Sequence, residues 1–128
     1  MTGRFPLSPS EWDRCAPWIE AALAEGAGTH TIDDVIEGLR SGDYQFWPGA
    51  RSACVTEIIE YPRRKALCFW LAGGDLGDMM RSIEPVARAW GESQGCTLFF
   101  GNAVYRPGWE RALQRYGYAP GWVVFRRT

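Results

Sequence analysis

The sequence predicts an α/β (α+β) protein built on one mixed β-sheet, with helices on both faces. Two helical patterns come first, and three strand patterns with tight turns follow them as an antiparallel meander. A glycine-rich link, a helical pattern and another strand pattern then form a βαβ crossover, which predicts a parallel pair of strands. The 128 residues are a length typical of one domain, which we expect to span 1–128.

The first third of the chain predicts two helices. Ser8-Pro9-Ser10 is typical of a helix start, and an apolar stripe at helical spacing follows it. Pro17 interrupts the stripe, so we expect a kink or a break into two short helices near Ala16. Thr31 predicts the N-cap of the second helix, which has an apolar inner face and ends at Gly42.

Three strands are predicted over 44–47, 53–60 and 66–71. Turns at Pro48-Gly49 and at 62–65 separate them. The continuous apolar run 66–71 is typical of a central strand covered on both faces.

The second half of the chain predicts a helix over 78–93 and a strand over 96–100. A last helix is expected to start at Pro107, and 122–125 predicts a closing strand. We expect strands 66–71 and 96–100 to be parallel neighbours that splay apart at a bulge near 71–73 and so open a cleft.

The composition excludes several classes of function. The chain is 46% hydrophobic with a net charge of −1, which is typical of a globular protein and argues against nucleic-acid binding by bulk charge. Its four cysteines are far apart and form no CxxC pair, so we expect buried free thiols and no metal site. No targeting pattern and no apolar run of about 18 residues is present, which predicts a cytoplasmic protein that does not bind membranes.

The order of elements resembles the GNAT (Gcn5-related N-acetyltransferase) fold, and two stretches resemble its motifs. One is the glycine-rich link 72–78, and the other is 112–118, which looks like the family's last helix and its Gly-aromatic step. The resemblance implies acetyl-CoA or another acyl-CoA as cofactor and an amine of unknown identity as acceptor. The residues it implies at the cofactor's pyrophosphate are Gly73, Gly74, Asp75, Leu76 and Gly77.

Two features depart from the family's pattern. The link lacks the usual basic first residue and carries Asp75, whose charge opposes a diphosphate unless it points away. Leu113 stands where the family often has the tyrosine that protonates the leaving thiolate. Tyr105, Tyr116 and Tyr118 remain alternatives for that acid, with Tyr105 and Tyr118 taken as candidate catalytic residues.

Glu57 is the candidate catalytic base. It is the one acid placed in mid-strand among apolar neighbours, and a carboxyl group in a cleft has a raised pKa that suits it to deprotonating an amine. The alternative is an edge or surface residue paired with Arg51 or Arg63. His30, between two threonines, is interpreted as a surface turn residue.

A second hypothesis is a non-catalytic role. The stretches 70–76 and 108–113 are also similar to small proteins of tailed bacteriophages and prophages. That similarity implies a host-cell cytoplasm or virion setting, with virion proteins or a second copy as partners. The interface residues predicted for this role are Arg106, Trp109 and Trp122.

Overall fold

The computed structural model describes residues 9–103 and 106–128. The N-terminal half contains helices α1 (Pro9–Ala24) and α2 (Ile32–Ser41), followed by strands β1 (Tyr44–Pro48), β2 (Ser52–Glu60) and β3 (Lys65–Gly74). The second half contains α3 (Leu76–Asp78), a π-helical segment (Met79–Ile83), α4 (Glu84–Ser93), β4 (Leu98–Gly101) and α5 (Trp109–Gln114).

The four strands form one mixed sheet in the order β1-β2-β3-β4. The pairs β1–β2 and β2–β3 are antiparallel, and β3–β4 is parallel, from Ala66 opposite Leu98 to Phe69 opposite Gly101. The predicted mixed sheet and the predicted parallel pairing are therefore confirmed.

Helices cover both faces of the sheet, as predicted. Helices α1 and α2 cover what we call face A, whose buried core is Cys15, Ile19, Val35, Leu39, Phe46, Ala53, Val55 and Leu71. The π-helical segment and α4 cover face B, whose buried core is Trp47, Cys54, Leu67, Met79, Ile83, Ala87 and Cys96. All four cysteines are buried free thiols, as expected.

Of the kink or break predicted near Ala16, the break into two short helices is wrong. Helix α1 runs through Pro17, which is exposed. Cys15 and Ile19 lie on either side of the proline and are both 0% exposed against face A. Proline removes one backbone hydrogen bond of the helix. Burial of the apolar stripe on both sides of Pro17 compensates for this loss, so the helix continues through it. The predicted cap of α2 is confirmed, since Thr31 and Asp34 form a reciprocal capping box.

The predicted closing strand over 122–125 is also wrong, because these residues form no strand. Trp122, Val123, Val124 and Phe125 are 60%, 74%, 76% and 92% exposed. Their β-branched and aromatic side chains favour an extended chain, but a strand also needs a paired neighbour and a buried face. The last helix likewise starts at Trp109 instead of Pro107. No described helix is long and apolar enough to cross a bilayer.

Candidate functional site

The sheet opens between β3 and β4. Their pairing ends at Phe69 and Gly101, while β3 continues to Gly74 alongside β2. A bulge accompanies the opening, because Val55 pairs with Leu71 and Thr56 with Phe69, so that Trp70 is the extra residue. The splay was predicted; the bulge lies at Trp70, just before the predicted 71–73.

One row of side chains crosses face A next to this opening. Tyr44 on β1 pairs with Glu57 on β2, which pairs with Cys68 on β3, which pairs with Phe100 on β4. Register partners point to the same face of a sheet, so the carboxyl group of Glu57 lies between a phenol and a thiol. Adjacent strands lie about 4.8 Å apart, so the row spans about 14 Å.

Glu57 is partly buried and makes no hydrogen bond or ion pair with the described residues. The predicted alternative pairing with Arg51 or Arg63 is therefore not present. Burial raises the pKa of the Glu57 carboxyl, and the nearby His30 partly offsets this. Burial and the charge of Glu57 raise the pKa of Cys68 to about 12, and the same two causes, burial first, raise the pKa of Tyr44. Both of these neighbours therefore stay neutral near pH 7.

An aromatic cluster of His30, Tyr44 and Trp70 borders Glu57. The ring centroid of Trp70 lies 4.6 Å from that of His30 and 4.9 Å from that of Tyr44. Thr29 Oγ1 lies 2.7 Å from His30 Nδ1, and Tyr44 Oη lies 3.5 Å from His30 Nε2. His30 is thus partly buried against the cluster, whereas the sequence predicted a surface turn residue.

Gly38 on α2 makes room for the ring of Tyr44. A Cβ at Gly38 would lie 2.1 Å from Cδ2 and 2.3 Å from Cε2 of that ring. The ring therefore packs directly on the helix backbone, which fixes its position in the cluster.

Two of the predicted cofactor residues, Gly73 and Gly74, are the last residues of β3. A Cβ at Gly73 would lie 2.8 Å from the Cβ and the carbonyl oxygen of Trp18, because α1 crosses the strand there. Gly74 has a φ of +97°, and a Cβ there would lie 2.4 Å from the carbonyl oxygen of Arg51. Close packing alone therefore accounts for both glycines.

The other three cofactor candidates form the start of the helix after β3. The Asp75 carboxylate accepts a hydrogen bond of 2.8 Å from the backbone N–H of Asp78 and so caps the helix. The amides of Leu76 and Gly77 are the next N–H groups at this end, where a helix leaves its donors unpaired. A Cβ at Gly77 would lie 2.8 Å from Nη1 of Arg81, so a guanidinium lies over this turn.

A buried carboxylate fixes the start of this helix to the sheet. Asp78 accepts hydrogen bonds from Ser52 Oγ at 2.7 Å and from the backbone N–H of Arg51 at 2.9 Å. These two bonds, the Ser52 bond first, lower the pKa of Asp78. The β1–β2 turn and the helix start are therefore linked directly by these hydrogen bonds.

Tyr118 lies away from Glu57. Its hydroxyl donates a 2.7 Å hydrogen bond to Oε2 of Glu84, the buried first residue of α4, which also accepts from Arg88 Nε at 2.9 Å. Burial and this bond raise the pKa of Tyr118. Tyr118 is thus associated with the helix on face B, and Glu57 lies on face A. Tyr105 lies outside the described residues.

The predicted interface residues form two separate contacts. Arg106 lies 5.2 Å from the ring centroid of Trp109 and pairs with Glu25 at the end of α1. Trp122 packs edge-on against Phe100 with ring centroids 4.9 Å apart. Among the described residues, no group of three or more His, Cys, Asp or Glu side chains is arranged to hold a metal ion.

Three site residues escaped the sequence-based prediction: Arg81, Tyr44 and Trp70. Arg81 lies one helical turn after Gly77, a spacing that could have indicated a basic group over the link. Tyr44 and Trp70 meet only through the register of β1–β3 and the bulge, and no local pattern encodes that contact.

Neither a protein-family model nor a curated protein matches the sequence. Solved structures do match its fold. The protein TTHA1254 from Thermus thermophilus aligns with a TM-score of 0.63 at 14% identity, over 97% of this chain and 94% of that one. A probable acetyltransferase aligns with a TM-score of 0.66 at 8% identity, over 95% and 93% of the two chains.

An aminoglycoside acetyltransferase from an uncultured soil metagenomic sample, solved in complex with sisomicin, aligns with a TM-score of 0.64. Identity is 11%, and the alignment covers 93% of this chain and 88% of that chain. At such identities the likeness is one of fold, and the fold is GNAT-like, as the order of elements predicted.

Proposed function

We propose that this protein is an acyl-CoA-dependent N-acyltransferase in which Glu57 deprotonates the acceptor amine. The observation that carries the proposal is a half-buried, unpaired carboxylate beside the opening between β3 and β4. The GNAT-like fold, shared with two structures described as acetyltransferases, supports the same chemistry.

Residues at the start of the helix after β3 suit the phosphates of the cofactor. The amides of Leu76 and Gly77 are donors at a helix N-terminus, and the Arg81 guanidinium beside Gly77 supplies the positive charge that the link lacks. The Asp75 carboxylate is turned onto the amide of Asp78, but its charge still weakens the positive potential there.

Acyl-CoA, when bound, supplies an activated thioester that an uncharged amine can attack. Amines are mostly protonated at neutral pH, so the protein must remove a proton from the acceptor. Glu57 accepts that proton on a carboxylate oxygen, directly or through one water, and its raised pKa makes it a stronger base than an exposed glutamate. The rings of Tyr44 and Trp70 limit the water around the carboxylate.

The contacts around Glu57 do not identify the acid that protonates the leaving thiolate. Tyr118 keeps its proton at neutral pH, but that proton is donated to Glu84. Tyr105 therefore remains a second candidate for this role. The alternative of a non-catalytic phage or virion component stays a prediction, and no contact of the described residues favours it.

Calorimetric titration with acetyl-CoA tests the proposal. We expect saturable binding to the wild type and about tenfold weaker binding to Arg81→Gln, because one charge-assisted contact is lost. Arg40→Gln is the matched control, since Arg40 is also an exposed helix arginine but lies on α2. Absence of both heat and a thermal shift at millimolar acetyl-CoA would overturn the proposal, because a ligand bound by the native state must stabilise it.

A further inference from the structure

Glu57 differs from the other carboxylates near it. Asp34 and Asp43, whose charges also act on Tyr44, are exposed, and Asp34 is engaged in the cap of α2. Glu57 alone is partly buried without a hydrogen bond or an ion pair among the described residues. A desolvated carboxylate of this kind gains most from a cation that arrives with a ligand.

Aromatic groups lie at both ends of the row. The rings of Tyr44, His30 and Trp70, the last from β3, contact one another at the β1 end, and Phe100 contacts Trp122 at the β4 end. Trp122 is 60% exposed, and the other four side chains are half-buried, so a ligand can reach all of these rings. Aromatic faces attract ammonium groups and also pack against flat or hydrocarbon groups.

The charges at the two ends of the row differ: Asp34 and Asp43 lie near Tyr44, and arginines lie beyond Phe100. A groove of about 500 Å³ at the β4 end of face A is lined by Tyr61, Pro62, Arg63, Arg64, Leu98 and Trp122. Arg64 is held there by hydrogen bonds to Thr97. A ligand whose further positive charges extend toward the β4 end would meet these arginines, which repel them.

We propose that the acceptor site binds primary amines that carry a single positive charge on an aromatic or hydrocarbon body, with the ammonium group on Glu57 and the body against the rings of Tyr44 and Trp70. The proposal rests on the proposed function, because it names the acceptor of that same site. It disfavours, as acceptors, polycationic amines whose further charges extend toward the β4 end, such as aminoglycosides.

Binding without cofactor tests the proposal. Phenethylamine and its neutral analogue 2-phenylethanol have nearly the same shape, so calorimetric titration of the apo protein with each isolates the contribution of the charge. We expect phenethylamine to bind at least tenfold more tightly than the alcohol and than sisomicin. The preference over the alcohol should disappear in Glu57→Gln and persist in Glu60→Gln, an exposed glutamate at the end of the same strand.

A second variant tests the predicted contact between the body of the amine and the aromatic rings. Trp70→Leu should weaken phenethylamine binding at least threefold and leave acetyl-CoA binding unchanged, since Trp70 lies on face A away from the helix start. Equal binding of amine and alcohol, unchanged binding in Glu57→Gln, or tighter binding of sisomicin would overturn the proposal. Failure of the proposed function gives a different result. Binding of phenethylamine without binding of acetyl-CoA would contradict the proposed acyltransferase activity, whereas acylation of sisomicin alone would contradict only the proposed acceptor class.

Discussion

Tyr44 and Glu57 are register partners on β1 and β2, so their phenol and carboxyl groups lie side by side on face A. Burial raises both pKa values, and the charge of Glu57 adds to the rise at Tyr44. The sheet thus holds a basic carboxylate next to a neutral phenol, and none of the described residues forms an ion pair with that carboxylate. This arrangement favours a protonated ligand and leads to the predictions that follow.

Replacing Glu57 by Gln should abolish most of the acylation activity. A positioned base contributes about 10²- to 10⁴-fold, so kcat/KM for an amine should fall by at least 100-fold at pH 7. The wild-type rate should rise with pH through the titration of Glu57, and this limb should be absent in the variant. Glu60→Gln should keep both the rate and the pH profile; a similar loss there would contradict the specific role of Glu57.

The same substitution should stabilise the fold at neutral pH. The pKa of Glu57 is higher in the folded than in the unfolded chain, so ionisation costs stability as the pH rises from the usual value of 4.5 through the folded value. Gln removes this cost. We expect a higher Tm for Glu57→Gln than for the wild type at pH 7, and a difference that shrinks below about pH 4. A lower Tm at pH 7 would contradict the inferred desolvation.

Replacing Asp75 by Asn should strengthen acetyl-CoA binding. Asn caps a helix about as well as Asp, so the hydrogen bond to the amide of Asp78 can be kept while the negative charge is removed. Removing a repulsion of about 1 kcal/mol corresponds to about a fivefold lower Kd. Titrations at low and high salt check the cause, because the gain should diminish as salt screens the charge. Weaker binding would show that Asp75 supports the cofactor.

Gly38→Ala should disturb the acceptor site without affecting cofactor binding. The added Cβ overlaps the ring of Tyr44, which must move, and overpacking of this kind costs about 1–3 kcal/mol. We expect a raised KM for the amine and an unchanged Kd for acetyl-CoA. Gly121→Ala, where the added Cβ meets open space and the backbone has no positive φ, shows how much a glycine substitution changes by itself. A crystal structure with Tyr44 unmoved would contradict the account.

Asp78→Ala should destabilise the fold by about 2–3 kcal/mol, because it leaves three donors, Ser52 Oγ, Ser82 Oγ and the Arg51 amide, without their charged acceptor. The folded pKa of Asp78 is lowered, so its stabilisation is present above the usual value of 3.8 and is lost as the pH falls through the folded value. Urea unfolding at pH 7 and at pH 3 measures the effect. The gap between variant and wild type should narrow at pH 3, and the exposed Asp13→Ala should show little effect at either pH.

The sequence predicts the sheet well because its signals are local. The apolar run of β3 and the β-branched run of β2 indicate central strands, and the glycine-rich link indicates a crossover. The tail over 122–125 carries the same local signal but finds no paired strand, so propensity alone misleads there.

The candidate site is only partly predictable for the same reason. Glu57 is recognisable as an acid within an apolar strand, but its neighbours are set by register. The bulge at Trp70 decides which residues of β3 meet β2, and the pairing of β1 with β2 brings Tyr44 to Glu57. Contacts of this kind join residues that are far apart in the chain. They depend on the register of the paired strands, which no local sequence pattern specifies.

The most direct measurement is the release of free CoA thiol from acetyl-CoA in the presence of phenethylamine, followed for the wild type, Glu57→Gln and Glu60→Gln. We predict amine-dependent release and a matching amount of N-acetylated product by mass spectrometry for the wild type and Glu60→Gln, with at least 100-fold slower release for Glu57→Gln. Wild-type release that does not depend on the amine, or an equal rate in Glu57→Gln, would contradict the account.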